Sequence, residues 1–255
     1  MSNSTFKIGS VQLGADLETK TVVPITATDL ANVRTQSDAI LHSTANLAEW
    51  RLDYLDQTIS SQAIFKTAQA LKMNLKSVNK GLLVTVRTKA QGGEFEDDAE
   101  AYLKQYQFIL KQELADAIDV EFTTAPDIRH QLLKASGLLA VPVVLSYHDF
   151  EKTPDLTALK RLAMEMAELN VAAVKLALMP TKPQDILTLF QLADWAKTEL
   201  TKPLAIMGMG NLGRITRASG NLFPSIFTFA TLDDASAPGQ MPLSTVETQL
   251  QLFKK

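Results

Sequence analysis

From Thr21 onward, short apolar runs rich in β-branched residues alternate with longer stretches in which apolar side chains recur every three to four positions. The short runs predict strands over Thr21–Thr26, Leu47–Leu52, Leu82–Val86, Ala117–Glu121, Ala140–Ser146, Ala172–Leu178, Leu204–Met207 and Ile226–Ala230. The longer stretches predict helices over Asp29–Ser43, Ser61–Val78, Asp97–Leu114, Pro126–Ala135, Leu156–Leu169, Lys182–Glu199 and Ser244–Phe253. Strand and helix in alternation build a parallel sheet covered by helices. Eight strands of this kind predict a (β/α)8 TIM barrel. Ahead of it, Phe6–Gly14 alternates apolar with polar or small residues around two glycines, which predicts an N-terminal β-hairpin within an extension over residues 1–20.

Length agrees with this reading, since a barrel occupies about 250 residues and the chain has 255 with no linker or low-complexity segment. A single barrel domain over residues 1–255 is therefore expected. Hydrophobic residues make up 46% and charged residues 21%, a balance that excludes a disordered or fibrous chain. The formal charge of -3 is dispersed, with no basic block to follow a phosphate backbone, so nucleic acid is not an expected partner. The absence of cysteine removes disulfides, thiolate nucleophiles and thiolate-bound metal centres together. No signal-peptide core and no membrane-length apolar run is present, so a soluble, cytoplasmic protein with no membrane partner is expected.

In a barrel, chemistry collects at the C-terminal ends of the strands and in the loops that follow them. Several polar or candidate pocket residues fall there: Glu49 and Arg51 in the second predicted strand, Arg87 just past the third, Glu121 ending the fourth, His148 after the fifth, Lys175 in the sixth, Met207 ending the seventh, and Ser236 and Gln240 after the eighth. Lys175 stands alone in Val174–Pro180, an otherwise apolar run. Burial favours the neutral amine, the form that attacks a carbonyl carbon, so Lys175 is either an imine-forming nucleophile or a strand-end lysine that extends its charge to water. Among three histidines, His42 and His130 lie in helical patterns, whereas His148 follows a strand and has the side chain suited to proton transfer near neutral pH. Arg87 and Arg217 carry forks that can grip a carboxylate, or they cap helices at the surface. Gly208-Met209-Gly210-Asn211-Leu212-Gly213, with Asp233 about 20 residues on, has the form of a dinucleotide fingerprint. Too little chain follows it for the remaining strands of a dinucleotide fold, so a tight turn or a close backbone approach to a ligand is the better reading.

Taken together, Glu49-Trp50-Arg51-Leu52-Asp53, Val86-Arg87-Thr88-Lys89, Ser146-Tyr147-His148-Asp149-Phe150 with Thr153-Pro154, Val174-Lys175-Leu176-Ala177, Gly220–Phe229 and Ala235-Ser236-Ala237-Pro238-Gly239-Gln240 resemble type I 3-dehydroquinate dehydratase, the imine-forming enzyme family of the shikimate pathway. The resemblance spans nearly the whole chain. It implies that Lys175 forms a Schiff base with the substrate ketone, that His148 is the acid and base, and that Arg217 grips the substrate carboxylate. Glu49, Arg51, Arg87, Ser236 and Gln240 are implied to bind ring hydroxyls or keep the site polar, with Met207, Met209, Phe150 and Phe229 as walls and Glu121 in support. It further implies 3-dehydroquinate as substrate, no metal or organic cofactor, and a homodimer. If Arg51 and Arg87 face Lys175, their charge favours its neutral form as burial does. Gln91 stands where many members carry a glutamate that pairs with the histidine, and an amide there hydrogen-bonds imidazole without stabilising imidazolium by charge. Pro224 replaces a usual glycine, and Arg214 adds a charge near Arg217.

Two other readings share part of this set. A different Schiff-base barrel, such as a class I aldolase, would share Lys175 and the fold but not the paired arginines with a Ser/Gln loop. A barrel that only binds a metabolite would have no use for both Lys175 and His148.

Overall fold

The computed structural model describes residues 4–232 and 236–254. The chain opens with β1 (Thr5–Ile8) and β2 (Val11–Gly14), which pair as a two-stranded sheet. The turn between them needs Gly9 at φ +58°, and a side chain there would also collide with Asp116 and Gly81. Ile8 lies so close to Gly81 that a Cβ on Gly81 would sit 2.1 Å from the Ile8 carbonyl oxygen. The hairpin thereby packs against the N-terminal end of the strand that Gly81 begins.

Strands and helices then alternate: β3 (Lys20–Ile25), α1 (Leu30–Leu41), β4 (Leu47–Arg51), α2 (Ser61–Ser77), β5 (Gly81–Thr85), α3 (Ala99–Lys111), β6 (Ala117–Glu121), α4 (Pro126–Leu138), β7 (Val143–Asp149), α5 (Leu156–Ala167), β8 (Ala173–Leu178), α6 (Pro183–Glu199), β9 (Leu204–Gly208), α7 (Gly210–Ala218), β10 (Phe227–Phe229) and α8 (Leu243–Leu252). The eight strands β3 to β10 form one sheet in the order β10-β3-β4-β5-β6-β7-β8-β9. The Ile226 N–H donates to the Leu204 carbonyl at 3.0 Å, carrying the last strand back to β9, while β10 pairs in parallel with β3. This is a (β/α)8 barrel.

Six of the eight helices among the described residues start where a side chain or proline answers the unsatisfied N–H groups of the first turn. Asp29, Ser60, Asp98 and Asp155 accept those N–H groups at the starts of α1, α2, α3 and α5, while α4 and α6 open on a proline. Every residue of β4, β5, β6, β8 and β9 is buried, as expected for parallel strands covered on both faces.

Two differences from the pattern-based expectation affect the chemistry. The fifth barrel strand, β7, runs Val143–Asp149 rather than Ala140–Ser146. The residues before it close α4: the Val141 N–H donates to the Ser136 carbonyl, and Ala140 takes a left-handed φ of 53°. Pro142 follows without an N–H and joins β6 only through its carbonyl, which accepts from the Ile118 N–H at 3.0 Å; the strand proper starts at Val143 and runs on through His148. Second, Gly210–Ala218 is a helix that the glycines concealed, and it carries Arg217 in its last turn.

Contacts group the described residues into two compact units. One is built mainly on Val23–Val144, and the other on Leu145 onward with Gln12–Val22.

Candidate active site

In the Val23–Val144 unit, the predicted site residues sit at strand ends and are already paired. Glu49 and Arg51 lie two apart on β4, both buried. Thr85 donates its hydroxyl to Glu49 Oε1 at 2.8 Å. Arg51 is held side-on by Asp53, with Nε to Oδ1 at 2.8 Å and Nη2 to Oδ2 at 2.7 Å, and its fork lies 4.7 Å over the Tyr54 ring. Burial opposes the Arg51 charge, but the hydrogen bonds and negative charge of Asp53 outweigh it and hold the guanidinium above its ordinary value.

Arg87 follows β5 and is gripped from β6, donating to Asp119 at 2.7 Å and to Glu121 at 3.1 Å. Glu121 also accepts the Thr88 N–H and hydroxyl at 2.9 and 2.7 Å. Desolvation works against the Arg87 cation too, yet Asp119, Glu121 and Glu49 raise its pKa well beyond the usual range. Two tyrosines of α3 tie the ends of these strands together. The Tyr106 hydroxyl accepts from Val86 N–H at 3.0 Å and donates to the Asp119 carbonyl, while Tyr102 accepts from Glu121 N–H at 3.1 Å. Their rings meet edge to face at 4.8 Å, and burial pushes both phenols above their ordinary value. Gln91 is buried in the short 3₁₀ turn Lys89–Gln91.

The unit from Leu145 onward holds the other candidates. Lys175 lies within β8, 4% exposed, with Nζ 4.7 Å from the centre of the Phe229 ring. The lysine is therefore buried, and its amine does not extend to open water. The β8–β9 register pairs Lys175 with Ala205 and Ala177 with Met207, so the buried Met207 lies one pleat further along the neighbouring strand. His148 is half-buried near the end of β7 and stacks on Phe150, with ring centres 6.2 Å apart. His42 and His130 are exposed.

Arg217 is 1% exposed, and among the described residues no carboxylate forms an ion pair with it. Its Nη2 donates to the Pro238 carbonyl at 3.3 Å, Nη1 approaches the Met207 sulfur at 3.8 Å, and Nε has no hydrogen-bond partner. Burial without a counter-charge pushes its pKa down to about 10. A buried guanidinium with an unused N–H carries a desolvation cost that nothing among the described residues offsets.

Beside it, Ser236 and Gln240 bond each other: the Ser236 N–H donates to Gln240 Oε1 and Gln240 Nε2 to Ser236 Oγ, both at 2.9 Å. The glycine pattern is accounted for by packing. Gly210 has φ +65°, a Cβ on Gly213 would lie 2.2 Å from the Gly208 carbonyl carbon, and one on Gly239 would lie 2.4 Å from the Gly210 oxygen. Met209, just before α7, is buried. Asp233, the acidic residue of the fingerprint, and Ala235 of the small-residue loop lie outside the described residues.

A family model described as type I 3-dehydroquinase matches residues 21–255. The chain belongs to that family. Similar proteins include the 3-dehydroquinate dehydratase of Lactiplantibacillus plantarum, 32% identical with 97% of each chain covered. The catabolic 3-dehydroquinate dehydratase of Acinetobacter baylyi is 32% identical, covering 98% of this chain and 91% of that one. Among solved structures, the type I enzyme of Clostridium difficile, determined with covalently modified comenic acid, superposes with a TM-score of 0.90 at 25% identity, covering 97% of this chain and 96% of that one. The 3-dehydroquinate dehydratase of Geobacillus kaustophilus gives 0.90 at 29%, covering 99% and 98%. The chain is accordingly a hydro-lyase of the shikimate pathway built on a (β/α)8 barrel. No helix among the described residues is long and apolar enough to cross a membrane.

Sequence reasoning singled out both arginines of the first unit but not the part played by Asp119. A signal was present: Asp119 and Glu121 alternate on β6, placing two carboxylates on one face of an otherwise apolar strand.

Proposed function

We propose that this dehydratase removes water from 3-dehydroquinate, giving 3-dehydroshikimate, through an imine on Lys175. The Lys175 amine adds to the C3 ketone, and loss of water leaves a protonated imine. That cation withdraws electrons from C2, so a proton the ketone holds firmly passes to the His148 imidazole. The C2–H electron pair forms the enamine, which expels the C1 hydroxyl as His148 returns the proton to it. Water then hydrolyses the imine and frees Lys175. One water enters the cycle and two leave it, a net loss of the C2 hydrogen and the C1 hydroxyl.

Arg217 receives the substrate carboxylate in this reading, because its Nε is buried with no partner of its own. Ser236 and Gln240 exchange their mutual bond for bonds to substrate. Glu49, Arg51 and Arg87 take ring hydroxyls or hold the polar environment, with Glu121 and Gln91 in support and Phe150, Met207, Met209 and Phe229 as walls. These roles rest on the match to the family's motifs. A homodimer in the cytoplasm belongs to the same reading, and light scattering on the purified protein tests its first half.

One observation carries the mechanism: a lysine buried within a barrel strand, with its amine against an aromatic face. Incubation with 3-dehydroquinate, borohydride reduction and peptide mass spectrometry test it. The expected result is a ligand-derived adduct on Lys175. An unmodified Lys175 in protein that still dehydrates the substrate overturns the imine, and absence of both adduct and turnover overturns the activity.

A further inference from the structure

Asp53 lies between Arg51 and the loop that follows β5. Its side chain is wholly buried, and both of its oxygens are spent on Arg51. One of them, Oδ2, also accepts the backbone N–H of Glu94 at 3.1 Å. Glu94 lies in the loop after β5, seven residues beyond Arg87 and three beyond Gln91. A single carboxylate thus joins the end of β4 to the loop that follows the neighbouring strand.

The geometry of the fork matters. A side-on pair uses Nε and one N–H of Nη2, which fixes the guanidinium plane and leaves Nη1 and the outer N–H of Nη2. Tyr54 lies against the face of the same group. Asp53 and Tyr54 both belong to the 3₁₀ turn Leu52–Tyr54 that follows β4 directly, so chain geometry sets their place relative to Arg51. Arg87 repels Arg51, and the Asp53 charge offsets that repulsion at Arg51.

We infer that Asp53 is a positioning residue for the dehydration: it orients the Arg51 fork and fastens the loop after β5 to it. The inference rests on the proposed role of Arg51 in binding substrate. Asp53 itself touches no reacting atom, and its effect passes through Arg51.

Steady-state kinetics on Asp53→Asn, Arg51→Ala and the double variant test this, with folding checked by circular dichroism. Asp53→Asn keeps the shape and one acceptor oxygen but loses the charge and the second acceptor. It is expected to raise KM between roughly tenfold and a hundredfold with kcat changed less than about threefold, since the misplaced group acts in binding. In the Arg51→Ala background the same substitution is expected to leave KM unchanged within about twofold. An undiminished effect without Arg51, or no effect in a folded Asp53→Asn protein, overturns the inference. Hydrogen exchange of the Glu94 amide in the unaltered protein supplies a readout that no folding failure can remove. Slow exchange is expected, and exchange as fast as a free loop amide overturns the fastening. Loss of borohydride trapping on Lys175 would strike the imine mechanism, whereas these outcomes read Asp53 alone.

Discussion

Arg87 and Arg217 are the two most deeply buried arginines among the described residues, and they live under opposite conditions. Arg87 is held by Asp119 and Glu121 across two strands, and its pKa is driven up. Arg217 has a backbone carbonyl, a sulfur and an idle Nε, and its pKa is driven down to about 10. The same side chain is therefore ion-paired in one unit and without a counter-charge among the described residues in the other. A charge neutralised in advance has little left for a substrate carboxylate, while a desolvated, unpaired one costs stability until the substrate arrives.

That contrast fails if the two arginines respond alike to removal. Arg87→Met strands two buried carboxylates and is expected to destabilise the fold by roughly 3–5 kcal/mol, read by urea denaturation. Arg217→Met removes an uncompensated cation. It is expected to stabilise by on the order of 1–3 kcal/mol at pH 7 while lowering kcat/KM by roughly 10²–10³-fold. Two arginines that both destabilise on replacement would end the distinction.

The pH dependence sharpens it. Arg217 holds its proton less tightly in the folded chain than an ordinary guanidinium does, so the unfolded chain binds more protons in the range above about pH 10. Its penalty is complete below pH 10 and fades as pH rises through that window. The stability gap between Arg217→Met and the parent protein is expected to be flat from pH 6 to 9 and to shrink above 10, by denaturant titration at each pH. A gap that widens above pH 10 has the wrong sign for an unpaired cation.

The smallest effect lies away from both arginines, where α4 ends. Ala140 holds a left-handed φ that alanine adopts at a cost, so Ala140→Gly is expected to stabilise by about 0.5 kcal/mol, with a small rise in Tm and unchanged kinetics. A fall in kcat there would show that the entry to β7 and the setting of His148 are linked.

Much of this was legible in the chain before folding. Alternation of β-branched runs with helical stretches gave every barrel strand to within a few residues, because strands buried on both faces need near-continuous apolar sequence. Lys175 and His148 stood out as polar groups in the wrong surroundings or in a specific motif, whereas Arg217 by its own surroundings read equally as a helix-cap or surface arginine. Two features misled. Ala140–Pro142 is apolar enough to read as strand, but a helix C-terminus and a missing N–H delay the strand itself until Val143. Gly210 and Gly213 argue against a helix by propensity, yet Gly213 is required there because α7 lies against Gly208 with no room for a side chain.

The sequence alone determined the barrel order and the identity of the family's motif residues, since each depends on local pattern or near neighbours along the chain. Only the tertiary structure decided which charges are paired. Asp119 and Glu121 reach Arg87 from another strand, more than thirty positions away, and the isolation of Arg217 is a property of everything that folds around it. Periodicity records which residues turn inward, but the electrostatic state of a buried group depends on the distances to all its neighbours, and those exist only once the chain has closed.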